Sequence, residues 1–300
     1  MANDDGVTRR DALIGAAAVA SLAACSRDKA SDPAPATVTV PDEPNVVRVA
    51  SVSTAVEGGV LPALVQQFEA ATKMHVRVTS HTGVYDLARE GKVDLVISHY
   101  GHKDAERFVL DGLGEFPRLV FSNQMALFGP PADPAGVRGL EDLAEAFRRI
   151  AAAKTAYLLN RQDGVAYLTD ILWNAIGKPD RTGWLLDGDL MKDAAVVKAS
   201  ETGAYVLWGL TPFLRLGQAR ALVLEPLVLA DPLLQRVMCS VVVKPGGVRN
   251  ANVDGAHAFQ SFLLEPATQA QIRSIHYPGK HVVSWTPAGR HNRTAILPKG

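Results

Sequence analysis

Between residues 45 and 128, short apolar runs alternate with helical patterns, and after a break the same alternation starts again. "VVRVASV" (46–52) is a nearly continuous apolar run of strand length, and "GVLPALVQQFEAATK" (59–73) carries apolar residues at helical spacing. "HVRVTS" (75–80) alternates, "GVYDLAREG" is a short helix closed by Gly91, "VDLVISHY" (93–100) is a third strand, and "KDAERFVLDGLG" a further helix. Strands separated by helices pair in parallel through right-handed crossovers. A broad strand region, "PRLVFSNQMALFGP", leads to "PPADPAGVRG", where prolines and glycines interrupt the pattern. A second series of helices and strands runs from "LEDLAEAFRRIAAAK" to "LVLEPL". "VMCSVVVKP" and a long helical pattern then follow, with Pro266 set to start or kink its later part.

Two α/β lobes follow from this order: residues 45–128 plus 232–280 in one, and 129–231 in the other. Two chain crossings make a hinge, and a ligand is expected between the lobes at the carboxyl ends of strands. The composition supports such a body, since 47% of the 300 residues are hydrophobic. Lysine plus arginine (31) equals aspartate plus glutamate (31), and this neutrality argues against nucleic-acid binding.

Residues 1–25 read as an export address. Arg9 and Arg10 precede "ALIGAAAVASLAAC", an apolar segment too short to span a bilayer that ends in small residues and Cys25. "TRRDALIG" looks like a twin-arginine signal and "LAAC" like a lipobox, which implies cleavage before Cys25 and lipidation of its thiol. The plainer alternative is an ordinary cleaved signal with an incidental cysteine. Residues 26–44 are polar and proline-rich, as in a tether, and residues 281–300 read as a loose extension. Cys239, the other cysteine, is expected to be a buried small hydrophobe, so no internal disulfide is expected. The expected location is periplasmic or otherwise extracytoplasmic, anchored to the membrane.

Two turns are candidates for binding. Ser53 and Thr54 lie where the first strand ends and a helix starts, and free N–H groups at a helix N-terminus attract anions. Thr54 and Glu57 equally have the T-x-x-E spacing of a capping box. In the second series, "YLLNRQDGVAYL" (157–168) repeats strand, polar turn and helix, and Arg161 in its turn has the fork to hold an oxyanion. The alternative is a surface arginine with Asp163 as helix cap. His99, Tyr100 and His102 end a strand without a third metal ligand in view, and no metal or cofactor is expected. The motifs of hydrolases, P-loops, zinc proteases and dinucleotide binders are missing from the sequence.

The order and spacing of "VASVSTAVEGGVLPALVQQFEAAT", "HTGVYDLAREGKVDLVISH", "ERFVLDGLG", "LFGPPADPAGVRG", "LWNAIGKPDRTGWLLDGDLM", "AYVLWGLTPFL" and "LVLEPLVLADPLL" resemble the solute-binding proteins of tungstate-type ABC transporters, over residues 46–278. The resemblance implies a two-lobed type II periplasmic binding protein fold with two chain crossings between lobes. It implies a small oxyanion, tungstate or molybdate, as ligand and a membrane permease as partner. It assigns Ser51, Ser53 and Thr54 to the family's first anion loop and Arg161 to its anion-binding arginine. Several positions depart from the family pattern. Val165 stands where a threonine is usual, Asp163 takes a serine place, and "GLTP" (209–212) lacks an arginine. Arg236 and Met238 stand where an asparagine and a tyrosine are usual, and Arg236 is a second candidate for the positive charge, well behind Arg161. A carboxylate facing a dianion at about 4 Å repels it by about 4 kcal/mol per unit pair at an effective dielectric of about 20, so Asp163 matters if it faces the cleft.

The function expected is therefore a non-enzymatic, lipid-anchored solute-binding protein of an ABC importer. The alternative is an anchored binding or sensor protein of the same fold with a different small ligand. A hydrolase using Ser51 or Ser53 lacks a recognisable base.

Overall fold

The computed structural model describes residues 43–101, 103–246, 248, 250–280 and 285–288. The signal segment with Cys25, the tether up to residue 42, and His102 lie outside them. In chain order the first series is β1 (Val46–Ser51), α1 (Ser53–Glu57), α2 (Val60–Ala71), β2 (His75–Ser80), α3 (Val84–Arg89), β3 (Leu95–His99), α4 (Lys103–Leu110) and β4 (Arg118–Gly129). The second is α5 (Leu143–Ala153), β5 (Tyr157–Leu158), α6 (Asp163–Ala175), β6 (Leu185–Leu186), α7 (Lys192–Thr202), β7 (Val206–Gly209), α8 (Leu210–Ala219) and β8 (Glu225–Val228). A 3-10 turn (Pro232–Leu234), β9 (Gln235–Val242), α9 (Val253–Leu264), α10 (Pro266–Ile272) and β10 (Trp285–Pro287) complete the described chain.

β1 is flanked by β2 and β3, both parallel to it, with α1–α2 and α3 as crossovers. β9 returns antiparallel between β3 and β4, giving the order β2-β1-β3-β9-β4-β10. Farther along, β4 pairs with β7 and β8 instead. The short β5 pairs in parallel with β6, and its Tyr157 makes an isolated parallel bridge to Tyr205, the residue before β7. Side-chain alternation along strands gives each sheet region two apolar faces. Leu95 and Ile97 enter one core with Val47, Phe68 and Phe259, while Val96 enters another with Tyr85, Phe108 and Cys239. In the second half of β4, Met125 and Leu127 join Phe147, Trp173 and Trp184, while Ala126 and Phe128 join Phe213 and Val196. Burial pushes the Cys239 thiol up to about 11, as befits a small core residue.

The change of core falls on a polar belt. Along β4 the first core ends at Phe121 and the second begins at Met125. The residues between, Ser122, Asn123 and Gln124, are all buried. Opposite them on β9 lie Val237, Arg236 and Gln235. Gln124 donates to the Met125 and Leu229 carbonyls at 3.1 and 2.8 Å, and Gln235 donates to the Thr286 hydroxyl at 3.1 Å. Buried polar groups of this kind hold position only when they are paired, so they divide the apolar interior instead of merging it.

Two local features differ from the sequence expectation or sharpen it. The long C-terminal helix is two helices, because Glu265 is extended and Pro266 opens α10. The loose extension expected from residue 281 instead contributes β10, antiparallel to Phe121–Asn123 of β4. Trp285 is fully buried, stands edge-on to Phe121 at 5.3 Å, and donates its indole N–H to the Gly58 carbonyl at 2.9 Å. A strand of three residues is too short to show a period. A buried ion pair also fixes the first sheet: Asp94, fully buried, accepts from Arg48 Nη2 at 2.6 Å, Arg48 N at 2.7 Å and Asn252 N at 2.9 Å. Among the described residues no helix is long and apolar enough to cross a membrane.

Candidate functional site

β1 ends in the fully buried Ser51, whose hydroxyl donates to the Val52 carbonyl at 3.2 Å. Val52 is the extended N-cap of α1 and supplies no side-chain cap. The capping box expected of Thr54 and Glu57 therefore does not form. Ser53 is exposed and Thr54 half-buried, and no hydrogen bond of either hydroxyl is found among the described residues. Glu57 turns instead to Arg215 of α8 at 3.5 Å, and Arg215 also holds Asp193 of α7 at 2.7 Å. These contacts tie the first-series helix α1 to the second series. Tyr277 senses the same cluster: burial raises its pKa, with a further push from Glu57 and an opposing one from Arg215.

The turn after β5 is built around Asn160. Its buried amide oxygen accepts from Gln162 N at 3.2 Å and from Lys192 N at 2.9 Å, joining the start of α6 to the start of α7. Gln162 caps α6 without a side-chain bond, so Asp163 is not the cap but the first helical residue, and it is exposed. Arg161 forks onto Asp187, Nε to Oδ1 at 3.0 Å and Nη2 to Oδ2 more closely still. Asp187 is held below the usual carboxylate range by this guanidinium. Asp189 and Asp170 add negative potential at Arg161, which is held above the usual arginine range chiefly by its bond to Asp187.

Arg236 has the opposite surroundings. It sits in the polar belt on β9, half-buried, and no carboxylate lies within ion-pair distance among the described residues. Burial alone pushes its guanidinium below the usual arginine range. The guanidinium lies against the first turn of α6: a Cβ on Gly164 would meet Nη1 at 2.7 Å. Glycine at 164 is therefore what admits the charge to the helix end. The Oδ1 of Asn123, cross-strand neighbour of Arg236, is buried and has no hydrogen-bond partner among the described residues.

This arrangement places a full positive charge beside the positive end of a helix dipole. A half charge and a whole one about 4 Å apart repel by about 2 kcal/mol at an effective dielectric of about 20. A half-buried guanidinium at a helix N-terminus, with no carboxylate in ion-pair distance among the described residues, suits an anion, which attracts both the guanidinium and the helix end.

The structure thus brings Arg236 to the turn that carries Arg161, and brings α1 against α8. No hydrogen bond joins Ser53 or Thr54 to either arginine. At the start of α8, Leu210 is core and Thr211 is fully buried, so that turn contributes no charge. Among the described residues no group of three or more histidine, cysteine, aspartate or glutamate side chains is placed to hold a metal. Sequence reading missed Asn123 and Asp187. The polar triplet Ser122-Asn123-Gln124 inside an apolar strand was a usable signal for the first, whereas nothing local marks the second.

No family model matches the chain. The chain is 29% identical over 241 residues to a Haloferax volcanii protein assigned to anion binding for an ABC transporter, covering 78% of this chain and 70% of that protein. It is 25% identical over 230 residues to the tungstate-binding protein TupA of Peptoclostridium acidaminophilum, covering 75% and 79%. Among solved structures, the tungstate-binding protein TupA of Desulfovibrio alaskensis G20 superposes with a TM-score of 0.68 at 26% identity, over 81% of this chain and 99% of that one. The fold is that of the type II periplasmic binding proteins, α/β with β4 pairing first with β9 and farther along with β7 and β8. Within that class the chain is a relative of the tungstate-type ABC-transporter solute-binding proteins.

Proposed function

We propose that this solute-binding protein works outside the cytoplasm for an ABC importer, takes a small oxyanion of the tungstate or molybdate kind, and delivers it to a membrane permease. The observation that carries the reading is Arg236, a half-buried guanidinium with no carboxylate in ion-pair distance among the described residues, set against Gly164 in the first turn of α6. In this reading Arg236 supplies the charge and the free N–H groups of the α6 first turn supply directed donors. Ser51, Ser53 and Thr54 offer hydroxyls from the β1–α1 turn. The halves built from residues 45–128 plus 232–280 and from 129–231 close on the ligand about the polar belt.

Titration calorimetry of the ligand-free protein with tungstate, molybdate, sulfate and phosphate tests this. Saturable one-to-one binding of tungstate or molybdate is expected, with a smaller radius of gyration by X-ray scattering when bound. Heats indistinguishable from dilution for all four anions sink the oxyanion reading and favour a sensor or a different small ligand. That second reading draws its support from Leu210 and Asp163, where the charge balance moves away from dianion binding.

We also propose that Cys25 becomes the lipid-bearing N-terminus, on the strength of "SLAAC" after an apolar segment with twin arginines. Cys25→Ser then moves the protein from the membrane fraction to the soluble fraction. Retention of the variant in the membrane at the parent level overturns the anchor.

A further inference from the structure

We propose that Asp187 is a specificity-determining residue that occupies the oxyanion fork of Arg161 and thereby weakens binding of highly charged anions. This rests on the oxyanion reading above. A carboxylate on a guanidinium fork is itself an oxyanion: two oxygens meet Nε and Nη2 of Arg161. The fork is thus already filled, by a residue 26 positions farther along the chain. Arg161 belongs to the same turn as Gly164, against which Arg236 lies, so both guanidinium groups serve one short stretch of backbone. They differ in their neighbours. Arg161 is paired with Asp187 and lies in the negative field of Asp189 and Asp170, whereas no carboxylate lies within ion-pair distance of Arg236 among the described residues.

The pair is also exchangeable. The side chains of Arg161 and Asp187 are 44% and 35% exposed, and ion pairs open to water in this way hold weakly. Asp187 sits on the connection between β6 and α7, where its Oδ1 also accepts from Asp189 N at 3.4 Å. An arriving dianion must therefore either displace Asp187 from Arg161 or bind at Arg236 without the second guanidinium. Both routes lower affinity, and the penalty grows with ligand charge. Asp187 sets how much negative charge the cleft accepts.

The test is calorimetry on the full mature chain with sodium molybdate at low salt, where surface charges are least screened. Asp187→Asn keeps one acceptor for Arg161 and removes the charge. It is expected to bind molybdate about tenfold more tightly, and to gain less for a monoanion such as perchlorate. The gain must vanish in Arg161→Ala/Asp187→Asn relative to Arg161→Ala. Asp180→Asn, the same charge change at a residue bonded to Thr182, is the control expected to bind like wild type.

If wild type binds and Asp187→Asn binds equally or more weakly, the inference is overturned while the oxyanion reading stands. The same holds if the gain persists without Arg161 or appears equally in Asp180→Asn. If wild type binds nothing but Asp187→Asn binds molybdate, the masking role is upheld and the oxyanion reading of the native protein falls. If no variant binds, both fall.

Discussion

Arg236→Ala is expected to weaken molybdate or tungstate binding by about 10- to 150-fold, the loss that follows from removing a charged hydrogen-bond donor worth about 1.5–3 kcal/mol. The expected effect on the ligand-free protein has the opposite sign. Arg236 is half-buried without a counter-ion and faces the positive end of α6, so its charge opposes folding. The variant should unfold thermally at the wild-type temperature or slightly above it. Gly164→Ala separates position from charge. It keeps Arg236 but places a methyl 2.7 Å from Nη1, so the guanidinium must shift away from the first turn of α6. Affinity should fall with no loss of stability, since alanine is the better helix residue. A wild type that binds together with an Arg236→Ala variant that binds as well would falsify the site. If Arg161→Ala alone abolished binding, Arg161 would replace Arg236 as the main cation.

The two arginines show how far a local reading of the sequence reaches. Arg161 stands out locally, in a polar turn between a strand and a helix. Its partner Asp187 becomes its neighbour only through the pairing of β5 with β6, each two residues long. Arg236 has no local signal beyond its departure from the family pattern, and its place against α6 follows only when β9 returns beside β4. The fold itself was more legible because its signals are local and repeated. The β-α alternation from Val46 to His99 appears as read, and α2 buries Val60, Leu61, Leu64 and Phe68 at helical spacing. Trp285 escaped because one buried tryptophan in a three-residue strand leaves no period to detect. The capping box at Thr54 failed because Val52 already provides the extended entry to α1, while Glu57 is drawn off by Arg215.

The largest expected loss of stability is at Asp94. This carboxylate has no solvent exposure and is shared by three structural elements. It accepts from the Arg48 backbone and guanidinium on β1 and from Asn252 N at the start of α9, while its own N–H donates to the Arg48 carbonyl at 2.7 Å. Arg48 in turn donates to the carbonyls of Gly91 and Asn250, at 3.0 and 2.9 Å. Asp94→Ala strands the Arg48 charge and leaves two backbone N–H groups without their acceptor. Breaking a buried pair from one side costs about 3–5 kcal/mol, which for a domain of this size is a fall in melting temperature of about 6–20 °C. Arg48→Met should cost less. The buried Asp94 charge loses the guanidinium but keeps both backbone donors, and the methionine stem retains the packing of the arginine stem. Thermal and urea unfolding of the two variants decide the point. Equal losses, or a larger one for Arg48→Met, mean that the guanidinium and not the carboxylate organises this corner. The site is coupled to it through β1. Arg48 lies three residues before Ser51, so loosening its register against β3 shifts the start of α1 as well, and Asp94→Ala should lose oxyanion affinity even where it remains folded.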